Sequence, residues 1–138
     1  MSKRENILGD IVKRLKAQRT VKLGRVERDP IDPNELPKTA FPAVYIETTD
    51  EDIDALAVSN MRISTMDVAV VLIVGGKQRD KQKNIAVDAI EDTLMEDTTL
   101  NGNAKHIGLT RVQTVTVGES APFATCRMIF TVEFCYTV

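Results

Sequence analysis

The residues best suited to chemistry form an acidic run near the middle of the chain. Asp50, Asp52 and Asp54 are spaced like the first calcium ligands of an EF-hand loop. That loop also needs Gly at its sixth position and Glu at its twelfth, and here those positions hold Ala55 and Met61. The sequence therefore does not encode an EF-hand site, and we interpret the run as a polar turn or an excursion between strands.

A second candidate is a phosphate-binding loop at Gly75-Gly76-Lys77-Gln78, which follows a predicted strand and precedes a predicted helix. The segment lacks the P-loop spacing of its first Gly, and no Ser or Thr follows the Lys. His106 is the only histidine, so neither a metal site with two imidazoles nor a nucleophile supported by two histidines can form. We therefore predict that the chain is not an enzyme and that it holds no metal and no cofactor.

The third group is the pair of cysteines, Cys126 and Cys135, which lie in one predicted strand. Nine residues of strand separate them by about 30 Å, and the odd offset places them on opposite faces. They cannot pair with each other in such a strand. We predict that both are reduced, packed thiols.

The composition is that of a soluble globular protein made in a cytoplasm. With 138 residues, 43% of them hydrophobic and 28% charged, the chain is expected to form a single domain over residues 1–138. A net charge of -2, an aromatic content of 4% and the absence of Trp argue against a DNA-coating surface or a base-stacking platform. No apolar run reaches the roughly 20 residues of a membrane span, and the N-terminus has no apolar signal core.

The stretch from Met66 to Val74 is predicted to be the central strand, because it is apolar on both faces. Its even-numbered apolar residues share one face, and Ala69, Val71 and Ile73 make the other. A strand of this kind is buried on both sides. We therefore expect a helix on one side of it and another sheet or another chain on the other.

Two helices are predicted to flank this strand. The second runs from near Asp80, whose carboxylate would accept from amides of the first turn, to around Asp97. The first begins at a capping box of Ser2 and Glu5, and its apolar residues from Ile7 to Leu15 recur at helical spacing. The basic residues on its opposite face are interpreted as solvated, namely Lys13, Arg14 and Lys16.

The other segments are interpreted as strands and an extended connection. Residues 24–42 hold four prolines and are predicted to form an extended connection over the surface. Residues 55–65 are ambiguous, because 61–64 could extend the central strand into a projecting ribbon. The order α-β-β-α-β-β predicts an α+β fold, a mainly antiparallel β-sheet with two α-helices packed on one face. The other strands are expected over residues 41–48, 107–117 and 124–138.

The order of these elements, with their pattern of apolar and polar residues, resembles that of the tail terminator proteins of long-tailed bacteriophages, also called minor tail or tail completion proteins. The most specific feature of the resemblance is the polar turn after the second helix, Thr99-Leu100-Asn101-Gly102. The resemblance also covers the helix Ile7 to Leu15, the segments Leu36-Pro37 and Phe41 to Ile46, the strand Val68 to Val74 and the helix Ile85 to Leu94.

The resemblance implies a structural protein of the virion tail or neck. Its family function is a ring, usually of six copies, that caps the tail tube, stops its polymerisation and provides the joining surface for the head connector. The implied partners are other copies of the chain, the tail tube protein and the head-tail connector protein. DNA would pass through the ring without specific binding, and no membrane would be involved.

Candidate residues for a subunit or partner interface come from two features. The doubly apolar strand offers a face that a neighbouring subunit could cover, and the acidic run departs from the family pattern. Three alternatives remain open: a head-completion or connector ring of the neck, a small ligand-binding or enzymatic α+β domain, and a nucleic-acid binder. The candidate interface residues are Asp50, Glu51, Asp52, Asp54, Met61, Ile63, Val71 and Ile73.

Overall fold

The computed structural model describes residues 2–55, 60–115 and 123–138, which form a five-stranded sheet and two helices. In chain order these elements are α1 (Lys3–Ala17), β1 (Arg25–Glu27), β2 (Ala43–Ala55), β3 (Met61–Gly75), α2 (Arg79–Met95), β4 (His106–Val115) and β5 (Phe123–Thr137). The sheet order is β1-β2-β3-β5-β4, and all neighbours are antiparallel except β1 and β2. This confirms the predicted α+β class.

Both helices pack on the sheet face formed by the even-numbered residues of β3. α1 starts where the Ser2 hydroxyl accepts from the Glu5 amide at 3.3 Å, which is one half of the predicted capping box. Residues three and four apart then share a buried stripe on each helix. Those residues are Ile7, Leu8, Ile11 and Leu15 in α1, and Ala86, Ala89, Ile90, Thr93 and Leu94 in α2. They enclose a core with the even-numbered side chains of β3 and β5.

The start of α2 differs from the prediction. Its N-cap is Gln78, in the left-handed conformation at φ 60°, and no side chain caps the first turn. Asp80 lies inside the helix, where its carboxylate pairs with the ammonium group of Lys83, one turn later, at 3.2 Å. The predicted capping role of Asp80 is therefore wrong, because the chain enters the helix through the left-handed residues Gly76 and Gln78.

The proline-rich connection contains a short strand that the sequence did not reveal. β1 pairs in parallel with the start of β2, and its three residues precede the first proline, Pro30. The Gly24 amide donates to the Pro42 carbonyl at 2.8 Å, which brings the two segments together. A Cβ at Gly24 would collide with the Ala40 carbonyl oxygen, so the close approach requires glycine. Two short 3₁₀ turns, Pro33–Glu35 and Lys38–Ala40, complete the connection.

The acidic run is a strand end rather than a turn. β2 stays paired with β3 as far as Ala55, which lies opposite Arg62. The interpretation of the run as a polar turn is therefore wrong, because alternating exposed carboxylates are compatible with an extended strand whose faces are solvated. The alternative in which residues 61–64 extend the central strand is confirmed.

The polar turn after α2 is stabilised by Asp97. Its carboxylate accepts from the Thr99 hydroxyl at 2.6 Å and from the amides of Thr99 and Asn101 at 3.0 Å each, and these bonds lower the pKa of Asp97 to about 2. Leu100 is fully buried with a φ of 48°, so the turn directs an apolar anchor into the core. Arg14 also contacts Asp97 at 3.2 Å, and the prediction that Arg14 is solvated is wrong.

The two cysteines behave as predicted. Both are free, Cys126 is buried on the helix-covered face and Cys135 is half-buried on the other. Residues 116 and 117 of the predicted strand lie outside the described residues. Among the helices of the described chain, none is long and apolar enough to cross a membrane.

Candidate interaction surfaces

The first candidate surface is a ribbon at one end of the sheet. It consists of residues 50–55 of β2 and 61–64 of β3, and we call it the acidic ribbon. Asp50, Asp52 and Asp54 are exposed on it, and within the described residues none of their carboxylates has an ion-pair or hydrogen-bond partner. No group of residues suited to hold a metal ion occurs in the described chain. Among the described residues, the ribbon therefore carries three unpaired carboxylates beside one cation, Arg62.

Apolar side chains accompany these carboxylates. Ile53 is 49% exposed and Met61 is 40% exposed, on opposite faces of the ribbon. Ile63, which is half-buried, lies directly opposite Asp54 in the strand ladder. The structure thus brings together most of the residues that the sequence had proposed as an interface.

Glu51 is the exception within the acidic run. A register shift between Thr48 and Glu51 turns this carboxylate toward the helix-covered face, where Arg4 of α1 binds it with nitrogen to oxygen distances of 2.6 to 3.0 Å. The Ser64 hydroxyl donates to it at 2.6 Å. The hydrogen bonds from Arg4 hold the pKa of Glu51 below its usual range, and Glu51 and then Tyr136 raise the pKa of Arg4.

Aromatic rings complete this contact. The Arg4 guanidinium lies 4.8 Å from the ring centre of Tyr136 and 5.8 Å from that of Phe134. The first turn of α1 is thereby fastened to the base of the acidic ribbon. Nothing in the sequence pattern predicted this contact, because Arg4 is 47 residues from Glu51 and 132 from Tyr136.

The second proposed region, the outer face of β3, is closed within the chain. Val71 is 3% exposed and Ile73 is fully buried. The neighbours of Val71 on the flanking strands are Tyr45 and Arg127, whose long side chains flank the short ones of β3. Arg127 also pairs with Glu47 at 3.2 Å, which links β5 to β2 across β3. In a single chain, Val71 and Ile73 are therefore not surface residues.

This outer face contains one buried polar atom without a hydrogen-bond partner among the described residues. The Arg127 Nε atom is buried, and the described residues supply no hydrogen-bond partner for it. Burial raises the pKa of the neighbouring Tyr45 phenol. Both observations are consistent with a face that is covered by its own amphipathic side chains rather than by a second layer.

A groove that the sequence did not predict lies at the opposite end of β3 from the acidic ribbon. It has a volume of about 1170 Å³ and runs between the first turn of α2, the 3₁₀ turns and the start of β5. We call it the basic groove. Its charged lining residues are Lys38, Lys77, Arg79 and Lys83, with Asp80 as the single described acid, and its apolar lining includes Leu36, Phe41, Val115 and Phe123.

The cations of the basic groove differ in how far they are neutralised. Lys83 pairs with Asp80 and also donates to the Thr114 hydroxyl at 3.2 Å. Arg79 donates to the Phe123 carbonyl at 3.2 Å. Lys38 and Lys77 are exposed, and neither side chain has an ion-pair partner among the residues that the structure describes. The sequence signals near this groove were the Gly-Gly-Lys segment that failed as a P-loop and the segments at Leu36 and Phe41 that entered the resemblance.

The chain matches known proteins by structure and not by sequence. No protein-family model matches the chain, and no curated protein matches its sequence. A chain from a solved structure, the virion of a native gene transfer agent particle, is similar with a TM-score of 0.52 and 12% sequence identity, over 89% of this chain and 90% of that chain. At this identity, the likeness shows that the two chains share a fold.

Proposed function

We propose that this chain is a structural protein of a phage-like virion and not an enzyme. The observation that carries the proposal is the shared fold, which extends over about nine-tenths of both this chain and a chain of the gene transfer agent virion. The proposal agrees with the sequence resemblance, which was reached from different features. It places the chain in a particle, in contact with other virion proteins.

More specifically, we propose a tail terminator. In this function the chain forms a ring of six copies that caps the tail tube, stops its polymerisation and offers its other face to the head-tail connector protein. Support comes from the polar turn at Asp97 to Gly102, which is the most specific feature of the resemblance. In the structure this turn is ordered by the Asp97 carboxylate and by the buried side chain of Leu100. The proposed location is the virion tail or neck, after assembly in the host cytoplasm.

Charge and avidity are compatible with this function. Six copies at -2 each would carry -12, so the ring offers no overall basic excess that would grip the phosphates of passing DNA. Exposed, solvated charges such as those of Asp52 and Lys77 bind weakly when they act singly. A ring repeats the same weak contact around its axis, and avidity then makes capping strong even if each contact is modest.

The test is to remove the gene from a virus or particle that encodes the protein and to measure tails by electron microscopy. We expect overlong or irregular tubes and a failure of heads to join. A plasmid copy of the wild-type gene should restore both. Tails of normal length that join heads normally would contradict the proposal and favour a small ligand-binding domain.

The same images distinguish the neighbouring alternative. A head-completion or connector ring of the neck would also be a ring, but its loss should leave tube length unchanged and block joining only. Binding of the purified chain to tail tubes separates the two functions further, because a terminator must bind the tube directly.

A further inference from the structure

The two charged surfaces of this chain lie at opposite ends of one rigid strand. The acidic ribbon contains the start of β3 at Met61, and the basic groove contains its end at Gly75. Fourteen strand steps of about 3.3 Å separate these residues by roughly 46 Å. β3 is the central strand of the sheet, paired along its whole length with β5, so the ribbon cannot fold back onto the groove of its own chain.

The ribbon is also fixed at its end of the sheet, because β5 pairs with β3 as far as Met61. The contact of Arg4 with Glu51 fixes its base, and residues 52–55 continue beyond that contact by about 13 Å of strand. Beyond that contact, Asp52 and Asp54 share one face of the ribbon with Met61 and Ile63, and the exposed Ile53 lies on the other face. The first face therefore presents unpaired carboxylates beside the exposed Met61.

The groove has the opposite character. Lys38 and Lys77 are exposed and lack ion-pair partners within the described chain, and Arg79 and Lys83 add positive charge behind them. Its apolar lining could receive an aliphatic side chain. The carboxylates and apolar side chains of the acidic ribbon thus complement the cations and apolar lining of the basic groove.

We propose that the acidic ribbon of one copy docks in the basic groove of the next copy. The contact joins two different surfaces, and a head-to-tail contact of this kind generates a closed ring when its rotation closes. The proposal rests on the proposed function, since it names the contact that would hold the terminator ring together. It assigns Asp52 and Asp54 to one side of that contact and Lys38 and Lys77 to the other.

The experiment reverses charge on each side separately and then on both. One variant carries Lys38→Glu with Lys77→Glu, a second carries Asp52→Lys with Asp54→Lys, and a third carries all four changes. Sedimentation velocity over a range of concentrations, at 50 and 500 mM NaCl, gives the size and the dissociation constant. All four sites are exposed, so circular dichroism should show that each variant is folded.

Two control variants make the same changes in net charge elsewhere. Lys13→Glu with Lys16→Glu alters exposed residues of α1, and Asp88→Lys with Asp92→Lys alters exposed residues of α2. These controls separate a local contact from a general effect of net charge. Neither pair belongs to the ribbon or to the groove.

We expect a wild-type oligomer that weakens in high salt, because screening reduces the attraction between exposed charges. Each one-sided variant should raise the dissociation constant by about 10- to 100-fold, the four-fold variant should recover most of that loss, and the controls should resemble wild type. If both one-sided variants still form the wild-type oligomer, the docking contact is wrong, although a ring held by another contact would still be possible. A wild-type chain that is monomeric at every concentration would overturn the docking contact as well, and the tail-length experiment would still decide the function.

Discussion

Between Val68 and Val74 both faces of β3 are buried, but different parts of the chain bury them. On the even-numbered face, Val68, Val70 and Leu72 lie under the two helices. On the odd-numbered face, Ala69 and Ile73 are fully buried although both α-helices of the described chain pack on the other face. Short side chains in a central strand can be enclosed by longer ones on the flanking strands, so burial on both faces does not require a second layer.

A strand that is apolar on both faces therefore does not by itself predict a second layer or a neighbouring chain. The pattern of β3 predicted a helix on one side and another sheet or chain on the other. The helix is present. Around Ala69 and Val71 the second cover comes from Tyr45, Glu47 and Arg127 of the same sheet, and at Gly75 the ring of Phe41 lies against the strand. The surface left for a neighbouring copy on that face is therefore polar and aromatic.

The largest expected effect is that of Val71→Asp on the odd-numbered face. A carboxylate at a site that is 3% exposed would lack a partner, and we expect the free energy of unfolding to fall by more than about 4 kcal/mol. Urea unfolding followed by circular dichroism measures the loss. Gln113→Asp is the matched control, because Gln113 is exposed on the same face and should cost less than about 1 kcal/mol.

The opposite outcome for Val71→Asp would be informative. If the variant stayed folded with wild-type stability but lost its oligomeric state, the odd-numbered face would be a subunit interface. The inference that the chain covers its own odd-numbered face would then be wrong.

The next effect tests the helix-covered face. Phe130 is fully buried there in the same cluster as Ile90 of α2, so Phe130→Ala should lower the free energy of unfolding by about 3 to 5 kcal/mol. Lys13→Ala, on the exposed side of α1, should change it by less than about 0.5 kcal/mol. Similar small losses from both variants in urea unfolding would reject this core.

Periodicity predicted most of the fold because it reports burial directly. It placed both helices, β3 and β5, since the apolar spacing in each was regular, but it predicted β2 only as far as residue 48. It missed β1 because a three-residue edge strand is shorter than any repeat, and Gly24 reveals it only through a contact with Ala40.

The candidate surfaces were harder to predict than the fold. The sequence selected Asp50, Asp52 and Asp54 as a run of charge, but local pattern cannot show that Glu51 faces the other way. That depends on a register shift and on Arg4, which is 47 residues distant. The basic groove was missed because Lys38 is 39 residues from Lys77, and only the fold brings this cation to the start of α2.

A smaller effect distinguishes the two faces of the acidic ribbon. Glu51→Gln should lower the free energy of unfolding by about 1 to 2 kcal/mol at pH 7, because it weakens the charged hydrogen bonds with Arg4. The neighbouring Asp52→Asn, on the solvated face, should change it by less than about 0.5 kcal/mol. Urea unfolding at several pH values measures both.

The pH dependence gives Glu51 a distinct signature. Its pKa is lower in the folded chain than its ordinary value of 4.5, so the unfolded chain takes up the proton first as the pH falls. The stabilisation is therefore complete above pH 4.5 and is lost as the pH drops through the folded pKa. The difference between wild type and Glu51→Gln should shrink in that acidic range, and a constant difference would contradict this assignment.

The smallest effect compares the two thiols, which lie on opposite faces of β5. Cys126 is fully buried and burial raises its pKa, whereas Cys135 is half-buried. Ellman's reagent at pH 8 should therefore label Cys135 first in the folded protein and find two free thiols after denaturation. Equal rates for the two cysteines in the folded chain would argue against this difference between the faces.

The most direct test of the terminator function is to add the purified chain to growing tail tubes in vitro and to image the tube ends. We predict a ring at one end of each tube and an arrest of growth. Lys38→Glu with Lys77→Glu should fail to cap, while Lys13→Glu with Lys16→Glu should cap like wild type. Tubes that continue to lengthen, with bare ends, in the presence of excess wild-type protein would contradict the account.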